Sequence, residues 1–135
     1  KEKGINLDKC RILDGSGLAP QDAISPAIYV QLLKYMYKSK YKNAFIQSLP
    51  TSGESGTLKS FLKDTELHGK IQAKSGSISG TKNFAGYIFL PNGKVWVFAV
   101  MTNSANCKTR KLQKVIEEYL LAVYNTKYLN KSSNK

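Results

Sequence analysis

The order of patterns along the chain predicts an α+β domain, with helices packed on a small antiparallel sheet. Helical periodicity fills residues 26–38, three strand-like runs follow one another between 70 and 102, and an apolar stripe at helical spacing spans 112–123. An Asn-Gly turn, Asn92 and Gly93 supplying the positive φ angles, joins the last two strand-like runs, which marks a hairpin. No internal repeat is apparent.

Residues 1–13 are basic and turn apolar at Cys10-Arg11-Ile12-Leu13, which suits an extended lead-in. Asp14-Gly15-Ser16-Gly17 is a turn signal. Ser25-Pro26 reads as an N-cap followed by proline at the first helical position, and Ile28, Leu32, Tyr35 and Met36 recur on one face. A second short helix is expected over 42–48. Residues 49–56 are a loop by composition, after which Thr57 is placed to cap a short helix to about Lys63, with Leu58, Phe61 and Leu62 on one face. Strands are expected at 70–75, 83–90 and 94–102, the last buried on both faces because KVWVFAVMT is the most apolar stretch. Leu112, Val115, Ile116, Tyr119, Leu120 and Val123 form the stripe of the last helix. The polar tail 129–135 is expected to fray.

With 135 residues, 41% hydrophobic and 22% charged, the chain suits one domain with a real core. Its apolar runs are too short and too broken by lysine to span a bilayer. It starts at Lys1 with no visible signal peptide, which reads as a processed or excised piece. The net charge of +12 raises nucleic-acid binding as a hypothesis, but the basic residues are scattered, with one dense cluster at Lys108-Thr109-Arg110-Lys111. A scattered coat favours solubility and a polyanionic cell wall, so no nucleic-acid partner is expected. Cys10 and Cys107 stand far apart without a CxxC, and His68 is the only histidine, so neither a metal nor a cofactor is expected. A Cys10–Cys107 disulfide is left open.

Lys74-Ser75-Gly76-Ser77 is the candidate for chemistry. On a strand, Lys74 and Gly76 face one side and Ser75 and Ser77 the other. Two hydroxyls on one face suit a carboxylate, an ammonium shapes the field, and a glycine lets a ligand backbone come close. The bland alternative is a Ser/Gly loop between strands. His68 reads as a surface residue without triad partners, and Trp96 and Phe98 as packing on a core strand. Tyr29, Tyr35, Tyr37 and Tyr41 read as core or interface packing.

Lys74-Ser75-Gly76 is K-T-G with serine for threonine, the third short signature of penicillin-binding proteins and class A β-lactamases. DGSGLAP at 14–20, SLPTSGESGTL at 48–58 and the segment from His68 to Ser104 precede and contain it in a fixed order. This arrangement resembles the C-terminal part of the D-alanyl-D-alanine carboxypeptidases of peptidase family S13, the type-four penicillin-binding-protein group, over about Ile12 to Tyr124. The resemblance implies that residues 1–135 are the C-terminal portion of one transpeptidase/β-lactamase-like domain, whose sheet continues with strands from the N-terminal part of the same protein. It implies a serine-type D-Ala-D-Ala carboxypeptidase, or endopeptidase, acting on peptidoglycan stem peptides and acylated by β-lactams, exported to the periplasm or cell envelope.

Carried over by position, Lys74 is the catalytic lysine of the third motif. Ser75, Gly76 and Ser77 are substrate-binding, Ser75 and Ser77 holding the terminal carboxylate of the substrate and the Ser77 N–H completing the oxyanion hole, and Asp14 and Ser16 lie on the loop close behind the second motif. The family's S-x-x-K serine and S-x-N motif belong upstream of Asp14, and residues 1–13 contain neither, so the isolated chain is expected to be inactive. Ser39-Lys40-Tyr41-Lys42, Ser60-Phe61-Leu62-Lys63, Ser79-Gly80-Thr81-Lys82 and Ser104-Ala105-Asn106 match the missing patterns by chance, at the wrong places. The alternative is a catalytically inactive module that binds peptidoglycan or a protein through the KSG edge.

Overall fold

The computed structural model describes residues 4–5, 7–8, 10–17, 19, 21–78 and 80–129. Helices α1 (Pro26–Lys38) and α2 (Lys42–Gln47) lead into the loop region, followed by strands β1 (Ile71–Ile78), β2 (Thr81–Phe89) and β3 (Val95–Met101) and helix α3 (Thr109–Tyr124). The three strands form an antiparallel sheet in the order β1-β2-β3. The expected α+β architecture is present.

α1 begins where the Ser-Pro pair predicts. Ser25 is extended at the N-cap and Pro26 is the first helical residue, but the cap is made by the Ser25 carbonyl, which accepts from the Ile28 N–H at 3.0 Å, and not by its hydroxyl. The segment after Thr57 is not the helix expected: a single 3-10 turn, Gly56–Leu58, gives way to turns. Leu62 sits at φ +55°, a conformation no right-handed helix contains. Burial drives this departure, since Leu58, Phe61, Leu62 and Leu67 all reach the core, where Phe61 stacks on Phe84 with ring centroids 4.2 Å apart.

The sheet separates two apolar layers. On one face Ile71, Ala73, Phe84 and Ile88 meet Ile116, Leu120 and Tyr124 of α3 in the main core, flanked by the half-buried Trp96, Phe98 and Val100. On the other, the fully buried Tyr87 packs against Tyr37 of α1 and Phe45 of α2, and its hydroxyl donates to the Leu33 carbonyl at 2.7 Å. Gly86 lets the strands close. A Cβ there would sit 2.2 Å from the Gln72 carbonyl oxygen and 2.5 Å from the Ala73 Cα, so only glycine permits the Ala73–Gly86 pairing.

Three expectations change in the structure. β3 is not buried on both faces: all seven of its residues are half-buried, because among the described residues it is an edge strand and β2 takes the centre. The stripe of α3 narrows to the row Leu112, Ile116, Leu120 and Tyr124, leaving Val115 and Tyr119 exposed. In the β2–β3 turn Gly93 alone takes a positive φ, +77°, and Asn92 does not share it. The tyrosines divide, Tyr37 packing on Tyr87 while Tyr35 and Tyr41 are exposed. Cys10 and Cys107 are both unpaired. Most of the expected tail, residues 130–135, lies outside the described residues, and Leu129 closes a π-helical turn after α3.

Candidate active-site edge

β1 runs three residues further than its composition suggests, so the whole K-S-G-S motif lies within a strand and not in a loop. Pairing holds it there: Ser75 faces Phe84, Gly76 faces Asn83, Ser77 faces Lys82 and Ile78 faces Thr81. The far edge of β1 is covered only in its first half. The Ile71 N–H donates to Ser52 Oγ at 3.1 Å, the Ser52 N–H to the Ile71 carbonyl at 2.9 Å, and the Ala73 N–H to the Pro50 carbonyl at 3.1 Å. In an antiparallel strand, outward backbone groups recur every second residue. The next outward pairs are therefore those of Ser75 and Ser77, which among the described residues make no backbone bond to the covering loop.

The motif's side chains divide as expected for a strand. Lys74 is exposed, shares the face of its partner Ala85, and curls back so that its ammonium donates to the Ser75 carbonyl at 2.5 Å. Ser75 is turned the other way and is 7% exposed, its hydroxyl donating to Thr57 Oγ1 at 2.7 Å. Ser77 is exposed and its hydroxyl accepts from the Lys82 ammonium at 2.9 Å. Lys82 is held below the usual lysine range, first by burial and then by the neighbouring charge of Lys74.

Asp14 and Ser16 sit in an exposed turn between the two segments joined by the Arg11–Ala23 bridge. The Asp14 carboxylate accepts from the Ser16 N–H at 2.9 Å and the Gly17 N–H at 2.8 Å. Those bonds, Gly17's foremost, hold its pKa below the usual carboxylate range. Its visible work is to organise its own turn, while Lys74, Ser75, Gly76 and Ser77 are brought together on one edge. His68 is half-exposed, with Nδ1 against the Lys63 carbonyl and Nε2 3.9 Å from Glu54. Among the described residues no cluster of metal-ligating side chains occurs, and no helix is long and apolar enough to cross a membrane.

Two residues at this edge escape sequence reasoning as site residues. Thr57 was legible only as a helix cap, yet its hydroxyl meets Ser75. Lys82 looked like the end of a chance S-x-x-K, yet it reaches Ser77. Its signal was the short sequence separation of the two strands: once Ile78 pairs with Thr81, Ser77 must face Lys82.

Comparison with known proteins agrees with this geometry. A D-alanyl-D-alanine carboxypeptidase from Actinomadura sp. (strain R39) is 30% identical over 107 residues, covering 74% of this chain and 20% of that protein. D-alanyl-D-alanine carboxypeptidase DacB from Haemophilus influenzae is 24% identical over 133 residues, covering 95% of this chain and 28% of that protein. The crystal structure of penicillin binding protein 4 (dacB) from Haemophilus influenzae superposes with a TM-score of 0.80 at 28% identity, over 94% of this chain and 29% of that one. The same protein complexed with a novel β-lactam gives 0.79. The chain thus spans less than a third of the length of these relatives. The family model described as D-Ala-D-Ala carboxypeptidase 3 (S13) matches residues 1–123, and with a penicillin-binding fold and a KSG strand in place, this chain belongs to that family.

Proposed function

We infer that this chain forms the KSG-bearing wall of a serine-type D-Ala-D-Ala carboxypeptidase that acts on peptidoglycan stem peptides in the cell envelope. The observation that carries the reading is the open half of β1, where the outward N–H groups of Ser75 and Ser77 stand beside the Lys74 ammonium and the Ser77 hydroxyl. An extended peptide adds to such an edge by backbone pairing. The serine of an S-x-x-K motif, from sequence N-terminal to Asp14, gives its proton to the lysine of that motif, which passes it on to the leaving nitrogen, and attacks the carbonyl carbon of the penultimate D-alanine. The Ser77 N–H donates to the developing oxyanion, and the Lys74 ammonium stabilises the charge that builds around it. The terminal D-alanine leaves with a proton on its nitrogen, and water then hydrolyses the ester. A β-lactam takes the same place and leaves the acyl group on the serine, in keeping with the β-lactam complex of the Haemophilus relative. The covering loop and the Asp14–Gly17 turn are assigned to the walls of the same cleft. Endopeptidase action on cross-links is open to the same edge.

The test uses the gene product extended upstream through S-x-x-K. Lys74→Ala is expected to lower release of D-alanine by on the order of 100-fold or more, as for loss of one preorganised electrostatic contact, with unchanged melting. The 135-residue chain alone is expected to release none. Rapid release by that chain, or full activity of Lys74→Ala, overturns the assignment. Stem-peptide binding without acylation of the extended protein identifies an inactive binding module in its place.

A further inference from the structure

We propose that Lys82 is a specificity-determining residue whose ammonium, together with the Ser77 hydroxyl, receives the terminal carboxylate of the peptide. The inference rests on the carboxypeptidase reading and adds a ligand that the K-S-G motif does not contain.

The geometry converges on one exposed spot. Ser77 and Lys82 are directly opposed across the β1–β2 ladder, and Lys82 Nζ lies 2.9 Å from Ser77 Oγ. Because that oxygen accepts from the lysine, the Ser77 O–H remains a donor, and the ammonium keeps two further N–H groups. A carboxylate arriving there meets one hydroxyl donor and one cationic donor. Ser75, by contrast, is buried and its hydroxyl is spent on Thr57. The accessible pair is therefore Ser77 with Lys82, not Ser75 with Ser77.

The lysine is also held in place. The Thr102 hydroxyl grips its backbone from both sides, accepting from the Lys82 N–H at 2.8 Å and donating to the Lys82 carbonyl at 2.8 Å. Its stem crosses the sheet face with Nζ 5.1 Å from the Phe84 ring centroid. Among the described residues no carboxylate pairs with it, and the charge that acts on it is that of a second cation, Lys74. Two ammoniums that reach β1 at neighbouring residues of the motif, one at the Ser75 carbonyl and one at the Ser77 hydroxyl, favour an anionic ligand there. Burial already disfavours the charged form, and an arriving carboxylate offsets that cost.

The experiment measures steady-state kinetics of the upstream-extended protein on two peptides ending in D-Ala-D-Ala, one with a free C-terminal carboxylate and one amidated. Lys82→Met is expected to lower kcat/KM for the free carboxylate by roughly 10- to 100-fold, the size of one lost charged hydrogen bond, mainly through KM. Turnover of the amide should fall by much less, so that the preference for the free carboxylate shrinks, and Lys82→Arg should restore most of the loss. Equal loss on both peptides, or no loss, overturns the proposal, as does a Lys82→Arg variant that melts normally yet is no better than Lys82→Met. Acylation of the wild-type protein by a penicillin, read as an increase in mass, separates the two inferences. If it occurs while Lys82→Met keeps its preference for the carboxylate, only the role of Lys82 fails. If neither acylation nor turnover occurs, the carboxypeptidase reading fails and takes this proposal with it.

Discussion

Ser52→Ala tests whether the cover on β1 is a structural clamp. Ser52 is 0% exposed, and its hydroxyl works in both directions, donating to the Leu67 carbonyl at 2.7 Å and accepting from the Ile71 N–H at 3.1 Å. Alanine removes both bonds. The Leu67 carbonyl keeps a partner, the Lys70 N–H at 3.2 Å, but the Ile71 N–H, at the buried end of an edge strand, is left without an acceptor. One lost bond costs about 1 kcal/mol and one orphaned buried donor about 1–3 kcal/mol, so the variant should lose about 2–4 kcal/mol. With a urea m-value of roughly 2 kcal/mol/M, the midpoint should fall by about 1–2 M at constant slope. Hydrogen exchange should speed selectively at Ile71, while the Ala73 N–H, held by the Pro50 carbonyl, stays protected until global unfolding. A midpoint change below about 0.3 M, or equal acceleration at Ile71 and Ala73, would refute the clamp.

Two further outcomes follow from the packing. Gly86→Ala should be more damaging than a typical overpacked core variant, which costs about 1–3 kcal/mol, because the new methyl meets backbone atoms of β1 that no rotamer change can clear. A folded variant with Gln72–Tyr87 and Lys74–Ala85 amide protection intact would contradict this. Tyr87 should ionise late, since burial, and then Tyr37, push its phenol up to about 12. The folded pKa lies above the unfolded one, so this contribution is complete below pH 10 and is lost between pH 10 and 12 as the unfolded chain releases its proton first. Its full size is on the order of 2–3 kcal/mol. Stability curves of Tyr87→Phe and the parent should therefore converge across that window, and parallel curves would count against it.

Local signals were legible wherever one short stretch decides its own conformation. Pro26 sets the start of α1, Gly93 turns the β2–β3 hairpin, and the Leu112–Ile116–Leu120 spacing fixes the buried face of α3. What escaped depends on partners distant in sequence. Ser75-Gly76-Ser77 has loop composition, and only pairing with Asn83 and Lys82 makes it strand. The exposure of β3 depends on what lies beside it, which its own apolar residues cannot reveal. Leu62 fits a helical stripe, but packing between turns gives it a positive φ instead. The candidate site was legible as a motif and a side-chain alternation, whereas the roles of Thr57 and Lys82 are set by register and loop placement.

The opening of the β1 edge at the motif has a local cause. The covering segment runs antiparallel to β1, with Thr51 opposite Gln72, so Leu49 and Ser48 would come next, opposite Lys74 and Ser75. Their N–H groups are already committed elsewhere. Leu49 donates to the Ile46 carbonyl at 3.0 Å and Ser48 to the Ala44 carbonyl at 3.1 Å, as the C-terminal turn of α2. Pro50 has no N–H to offer at all. A segment that has turned into a helix cannot extend a ladder. The end of α2 therefore decides where β1 stops being covered, and it does so at Ala73, one residue before Lys74. The same loop carries Thr57, which draws the Ser75 hydroxyl inward. One short connection thus both ends the backbone pairing before the motif and engages the hydroxyl of one of its two serines, leaving that of Ser77 exposed.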